Sequence, residues 1–287
     1  MRSYLAEFLS DPRVVELPRW LWLPILHGIV LRTRPAKSAA KYASIWTPQG
    51  SPLAVHTQQQ ALLLGKILAE QNVKVAYAMR YGQPSIAEGL KKLSGCEVVA
   101  VPLYPQFSRS TTESVRDVLP PGTEMIEQFH DHPAYIAALA AGVRRHWQAR
   151  GKGGKLVMSF HGLPQRSVDR GDPYQKQCIA TAKILAGVLR LPPEDYAVTF
   201  QSRFGAAKWL QPYTEPTLVA LAREGAKRVD VVCPGFVSDC LETLEEIALE
   251  ARHAFLGAGG TEFHALPCLN ESPEWIVALA KIVETPP

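Results

Sequence analysis

Along this chain, short apolar runs of strand length alternate with longer stretches of helical character. Positions 73–79, 98–103 and 124–129 read as strands in the first part of the chain. Positions 155–160, 196–200, 229–233 and 262–266 read as strands in the second. Between them, 57–71, 83–94, 134–149, 173–190, 214–224, 237–253 and 273–284 read as helices. Alternation of this kind predicts an α/β fold, with parallel sheets covered by helices on both faces. The change of domain falls at the helix 134–149, giving an N-terminal half over 1–133 and a C-terminal half over 134–287. The glycines of 151–154 then form a turn and not a long linker.

Ligands of open α/β sheets bind beyond the carboxyl ends of the strands, so the residues that follow each run carry the information. Strand 73–79 leads into Arg80-Tyr81-Gly82-Gln83-Pro84, and strand 98–103 into Tyr104-Pro105-Gln106 and on to Ser110-Thr111-Thr112. Strand 155–160 ends on His161-Gly162-Leu163-Pro164. Strand 196–200 ends on Gln201-Ser202-Arg203-Phe204, and strand 229–233 on Pro234-Gly235-Phe236. Five polar or aromatic loops on one rim describe a cleft between two domains.

His161 stands out because it closes an apolar run and a polar loop follows at once. It reads either as a histidine satisfied by its own loop or as a proton acceptor or metal ligand facing the cleft. Glu242, Glu246 and Glu250 recur every fourth residue on the next helix, which stacks three carboxylates on one face. They read either as a solvated acidic face or as a path for a hard cation or for protons.

Composition narrows the field. The chain has 287 residues, 47% of them hydrophobic, enough for two α/β units of ordinary size. Its net charge is +4, and the basic residues are scattered without an aromatic-interleaved stripe, so nucleic acid is not an expected partner. The five cysteines, Cys96, Cys178, Cys233, Cys240 and Cys268, include no C-x-x-C pair. They read as thiols in a reduced, cytoplasmic setting. No signal peptide, nucleophile elbow, P-loop or dinucleotide fingerprint is present. The apolar stretch 17–31 is too short, and too broken by Pro24 and His27, to span a bilayer. It reads equally as a core-packed helix or as a surface that rests on a membrane or lips a cleft, with Trp20 and Trp22 beside Arg19.

Taken together and in order, the motifs resemble those of the ferrochelatase family, most of all its Gram-negative bacterial type. The resemblance rests on Gly50-Ser51-Pro52, Leu103-Tyr104-Pro105-Gln106, Ser110-Thr111-Thr112 and Ser159-Phe160-His161-Gly162-Leu163-Pro164. It continues through Gly171-Asp172-Pro173-Tyr174, Phe200-Gln201-Ser202-Arg203-Phe204, Trp209, Cys233-Pro234-Gly235-Phe236 and Asp239-Cys240-Leu241-Glu242-Thr243-Leu244. It implies two flavodoxin-like (Rossmann-like) domains enclosing a porphyrin cleft, and insertion of Fe²⁺ into protoporphyrin IX with release of two protons. By matched motif it implies His161 and Glu242 as the catalytic pair, with Glu246 and Glu250 continuing the metal or proton line. Arg80, Tyr81, Tyr104, Ser110, Thr111 and Trp209 would line the porphyrin site.

The resemblance further implies iron as a substrate, no tightly bound cofactor and no iron–sulfur cluster, because the cysteine-bearing C-terminal extension of cluster-containing relatives is missing. The expected setting is the cytoplasm, peripheral at the inner membrane, as a monomer or weak dimer. Where some relatives carry a histidine beside the partner glutamate, this chain has Cys240. Ferrochelatase-like chains also begin earlier, with a strand and a Leu-Gly-Thr-Pro-type loop. The helix at Tyr4–Leu9 resembles the one after that loop, so the expectation is an upstream start and a first sheet short of one strand. Two other readings stand beside this one: a cobalt or nickel chelatase of an early tetrapyrrole such as sirohydrochlorin, and a non-catalytic tetrapyrrole-binding protein.

Overall fold

A computed structural model of the chain describes residues 1–205 and 207–285. The chain divides into two compact units: Met1–Pro102 with Ser108–Glu127, and Leu103–Phe107 with Gln128–Pro287.

The first unit is mostly helical. Helix Arg2–Ser10 is followed by helix Arg19–Ile25, which continues through a wide i→i+5 turn at Leu26–Val30 into helix Leu31–Ile45. Leu5, Leu9, Leu26 and Leu31 form a buried cluster, with Tyr4, Phe8, Trp22 and Leu23 packed against it. Helix Pro52–Ile67 starts on a proline, whose missing N–H costs nothing in a first turn. Helix Ile86–Lys92 starts on a capping box in which the Ser85 hydroxyl accepts from the Glu88 N–H and the Glu88 carboxylate accepts from the Ser85 N–H.

The sheet of this unit is minimal. Strand β1 (Val99–Ala100) pairs in parallel with strand β2 (Glu124–Met125), Val99 opposite Glu124 and Ala100 opposite Met125. The strand expected over 73–79 is not formed; Met79 makes a single bridge to Ser85, and no ladder among the described residues includes 73–78. The apolar pattern is present, but a strand also needs a neighbour to take its backbone N–H and C=O groups. Val73 and Val99 are accordingly left exposed.

The second unit holds four parallel strands: β3 (Lys155–His161), β4 (Tyr196–Gln201), β5 (Arg228–Val232) and β6 (Glu262–Ala265). Their order across the sheet is β4-β3-β5-β6. Counted within the unit this is 2-1-3-4, the beginning of the flavodoxin-like order, with its switch point between β3 and β5. Side chains alternate across the sheet. Val157, Val229, Val231 and Phe263 form a core with Leu218 and Ala222 of helix Thr214–Arg223 and with Ile247, Ala251 and Phe255 of the segment Glu242–Gly257. Asp230 points the other way and accepts from Trp147 of helix Pro133–Arg150. That helix packs with helices Tyr174–Leu189 and Pro273–Glu284, and together they cover the second face. The turn at 151–154 is tight: a Cβ on Gly154 would fall 2.1 Å from the Arg228 carbonyl oxygen, and its φ is +75°.

The helix expected over 237–253 starts late and winds differently. Asp239 is held in the preceding loop by Asn270, whose side chain accepts from the Asp239 N–H and donates to its carboxylate. Glu242–Ala251 then follows an i→i+5 pattern before α-helical winding resumes at Arg252–Gly257.

Candidate active site

The second unit gathers His161, Gln201, Ser202, Trp209, Phe236, Glu242 and Glu246 beyond the carboxyl ends of β3, β4 and β5. His161 is the last residue of β3 and lies on the same face as Val157 and Ser159, the face covered by the Glu242 helix. Its Nδ1 lies 2.6 Å from the Gly162 carbonyl oxygen. A carbonyl only accepts, so in neutral His161 the proton sits on Nδ1 and Nε2 keeps its lone pair. The ring is half-buried, with the Phe236 ring 6.4 Å away between centroids.

Gly162 is required at its position. Its N–H donates to the Gln201 carbonyl at 2.6 Å. A Cβ there would lie 2.7 Å from that oxygen and 3.2 Å from Cε3 of Trp209. Trp209 therefore sits directly over the residue that follows His161. Its Nε1 donates to the Phe204 carbonyl at 2.9 Å, and its ring meets Phe204 edge-on.

Gln201 faces His161 in the β3–β4 register and is buried. Its Oε1 accepts from the Ser159 hydroxyl at 2.7 Å, and its Nε2 donates to the backbone carbonyl of Glu242 at 2.8 Å. Ser159 also meets Thr214, which donates to Thr199. This polar chain ties the strand ends to the first turn of the glutamate helix. Ser202, in the left-handed region at φ +60°, donates its N–H to Glu246 Oε1 at 2.7 Å and its hydroxyl to Glu246 Oε2.

The three glutamates differ in setting. Glu242 and Glu246 are half-buried and Glu250 is exposed, so the row runs from the strand ends outward to solvent. Wide i→i+5 winding recurs at functional sites, where it re-aims side chains. The Cys240 thiol is pushed well up, first by burial and then by the carboxylate of Glu242. In the metal-free protein it is therefore held in its protonated form.

Four of the expected site residues, Arg80, Tyr81, Ser110 and Thr111, belong to the first unit. Arg80 donates to Asp11 Oδ2 at 2.6 Å, and to the Ser114 carbonyl and hydroxyl at 2.8 Å. Tyr81 donates to the same Asp11 oxygen at 2.8 Å and lies under the Arg80 guanidinium. Burial raises the Tyr81 phenol first of all. Ser110 and Thr111 lie in the short wide turn Arg109–Glu113, capped by Ser108, whose hydroxyl accepts from the Ser110 N–H. Tyr104 belongs to the second unit and is half-buried.

Asp11 carries no signal in the sequence pattern, and Gly162, Gln201 and Ser202 stand out there only as members of motifs. Gln201 was open to the reasoning that singled out His161, since both close an apolar run. The described residues do not bring His161 and the glutamates into a closed set of three metal donors; the group that meets that condition is His146, Asp230 and His264. An ion handed through a site as cargo needs no closed shell, and open positions suit its release.

The family model described as Ferrochelatase matches residues 1–286. Ferrochelatases of Azoarcus sp., Polaromonas sp. and Bordetella pertussis are 56%, 58% and 52% identical, over 98–99% of this chain and 80–82% of theirs. Two solved structures share the fold: SirB from Bacillus subtilis with Fe³⁺, and CbiX, the terminal enzyme for siroheme biosynthesis in denitrifying bacteria. The first has a TM-score of 0.55 at 13% identity, covering 82% of this chain and 91% of that one. The second has a TM-score of 0.52 at 16% identity, covering 86% and 92%.

Proposed function

Because this chain belongs to the ferrochelatase family, we propose that it inserts ferrous iron into protoporphyrin IX, forming protohaem and releasing two protons. The observation that carries the residue assignment is the pairing of His161, whose Nε2 keeps a lone pair, with a glutamate helix tied to the same strand ends through Gln201. A planar macrocycle cannot take the ion while both pyrrole N–H bonds point inward, so a base must sit at the ring. His161 Nε2 accepts the protons. Glu242 supplies the neighbouring carboxylate, and Glu246 and Glu250 carry protons out or iron in as hard oxygen ligands. Trp209 forms an aromatic wall beside His161, and Tyr104, Ser110 and Thr111 add porphyrin contacts. Arg80 and Tyr81 shape the first unit through Asp11.

Iron is the substrate here, and this reading contains no resident cofactor and no iron–sulfur cluster. No helix of the described residues is long and apolar enough to cross a membrane. The stretch 17–31 divides between its two readings: Leu26 and Leu31 are buried, while Trp20 is 79% and Ile29 60% exposed, with Leu21 and Ile25 beside them. Such a patch next to Arg19 suits peripheral contact with a bilayer that holds a greasy substrate. The test is metal insertion by the purified chain, offering Fe²⁺, Co²⁺ and Ni²⁺ with protoporphyrin IX or sirohydrochlorin. Fe²⁺ with protoporphyrin should dominate; a preference for sirohydrochlorin would overturn the proposal.

A further inference from the structure

Away from the carboxyl ends of the strands, a second group of ligating side chains converges between helix Pro133–Arg150 and the β5–β6 edge. His146 comes from the helix, Asp230 from β5 and His264 from β6, where Asp230 and His264 face each other in register. One ligand atom of each lies within 4.8 Å of the other two. The His146 and His264 rings are 4.8 Å apart between centroids, and His146 Nε2 is 3.4 Å from Asp230 Oδ1. That nitrogen is buried and makes no hydrogen bond. We propose that His146, Asp230 and His264 form a binding site for a divalent transition-metal cation of the Zn²⁺ type, separate from the site at His161.

The chemistry of the donors fits such an ion. Two imidazoles and one carboxylate are a common borderline ligand set, with a fourth position left for water or a further carboxylate. His264 Nε2 lies 2.6 Å from Glu262 Oε1, and a carboxylate behind a histidine orients the ring and raises its basicity as a ligand. Asp230 is already tied through its other oxygen to Trp147, which leaves Oδ1 facing the histidines.

Arg228 is the competitor, since its Nε lies 3.2 Å from the same Oδ1. It has other anchors, the Arg150 and Gly151 carbonyls at 2.9 and 2.8 Å, and can yield that oxygen without losing them. Bonds of about 2.0–2.1 Å in a tetrahedral shell place ligand atoms roughly 3.3 Å apart. The ligand atoms then close in by up to about 1.5 Å. The ion would pin the helix to the sheet edge, an effect on stability and not on insertion.

The test uses metal-free full-length protein carrying His161→Ala, so that uptake at the active site does not count. Titration with Zn²⁺ by calorimetry should give one tight site and a raised melting temperature. Co²⁺ should show the intense visible bands of a four-coordinate His-containing site. Adding His146→Gln or His264→Gln should weaken Zn²⁺ at least ~10-fold, as losses around metal ligands do. His264→Gln in the otherwise unaltered protein should leave iron insertion near its starting rate. Should a variant fold poorly, Zn²⁺ protection of His146 and His264 from diethyl pyrocarbonate, read by peptide mass in the single His161→Ala protein, gives the same answer. No tight site, unchanged affinity in the His146→Gln and His264→Gln proteins, or no protection would overturn the proposal.

Discussion

Gly162→Ala is the sharpest probe of how the site is built, because one methyl group has a known destination. Gly162 is not among the residues with positive φ, so alanine carries no backbone penalty and the effect is contact alone. The added Cβ would lie 2.7 Å from the Gln201 carbonyl oxygen and 3.2 Å from the Trp209 ring. That oxygen belongs to a strand and cannot swing aside, so β3 and β4 must part or Gly162 must shift. Overpacking of this kind costs about 1–3 kcal/mol, and at about 2–4 °C per kcal/mol for a chain of this size the melting temperature should fall roughly 2–12 °C. The movement passes to His161, whose Nδ1 is fixed by the Gly162 carbonyl. Misplacing a reacting group by about 1 Å can cost ~10²-fold, so insertion should slow by about 10-fold or more. Gly142→Ala is the control: nothing lies within 4 Å of its Cβ, and in the middle of helix Pro133–Arg150 it should stabilise by about 0.5–1 kcal/mol. Scanning calorimetry and a stopped assay of iron insertion read both variants. A Gly162→Ala protein melting within 1 °C of the parent and turning over at an unchanged rate would refute the steric reasoning.

Two further outcomes follow from other parts of the molecule. Trp20→Ser should reduce binding to anionic liposomes while leaving the melting temperature within about 1 °C, since surface substitutions usually fall within about ±0.5 kcal/mol. Loss of folding with unchanged liposome binding would assign the stretch to the core. His130 and His146 both titrate below the ordinary 6.5, chiefly through burial. The unfolded chain therefore binds protons that the folded chain refuses, and stability should fall as pH drops below about 6.5. Urea unfolding at pH 7.5 and 5.5 checks this; His130→Gln should flatten the slope, and an equally steep slope would exclude His130 as a cause.

The second unit was the more legible half because its strands carry continuous apolar runs and each has a neighbour. β3, β4, β5 and β6 lie where 155–160, 196–200, 229–233 and 262–266 were expected. His161 was legible for the same reason: a strand end is visible as the place where apolar residues stop. Positions 73–79 carry the same apolar signal yet form no ladder, because pairing depends on a partner strand that a local pattern does not encode. The i→i+5 winding of Glu242–Ala251 was hidden as well, since apolar spacing predicts a helix and not its hydrogen-bond step. Asp11 escaped notice because its partners, Arg80, Tyr81 and Ser114, are 69 to 103 residues away in sequence. The His146–Asp230–His264 group went unseen for a similar reason, with one member on a helix and two on adjacent strands.

Single-turnover insertion of Fe²⁺ into protoporphyrin IX, followed by the Soret band under anaerobic conditions, tests the central claim most directly. The unaltered chain should form protohaem within the mixing experiment. His161→Ala and Glu242→Gln should each slow the step by ~10²–10⁴-fold, the usual cost of losing a positioned acid–base group, while porphyrin quenching of tryptophan fluorescence shows that both still bind the ring. Near-normal insertion by His161→Ala would contradict the account.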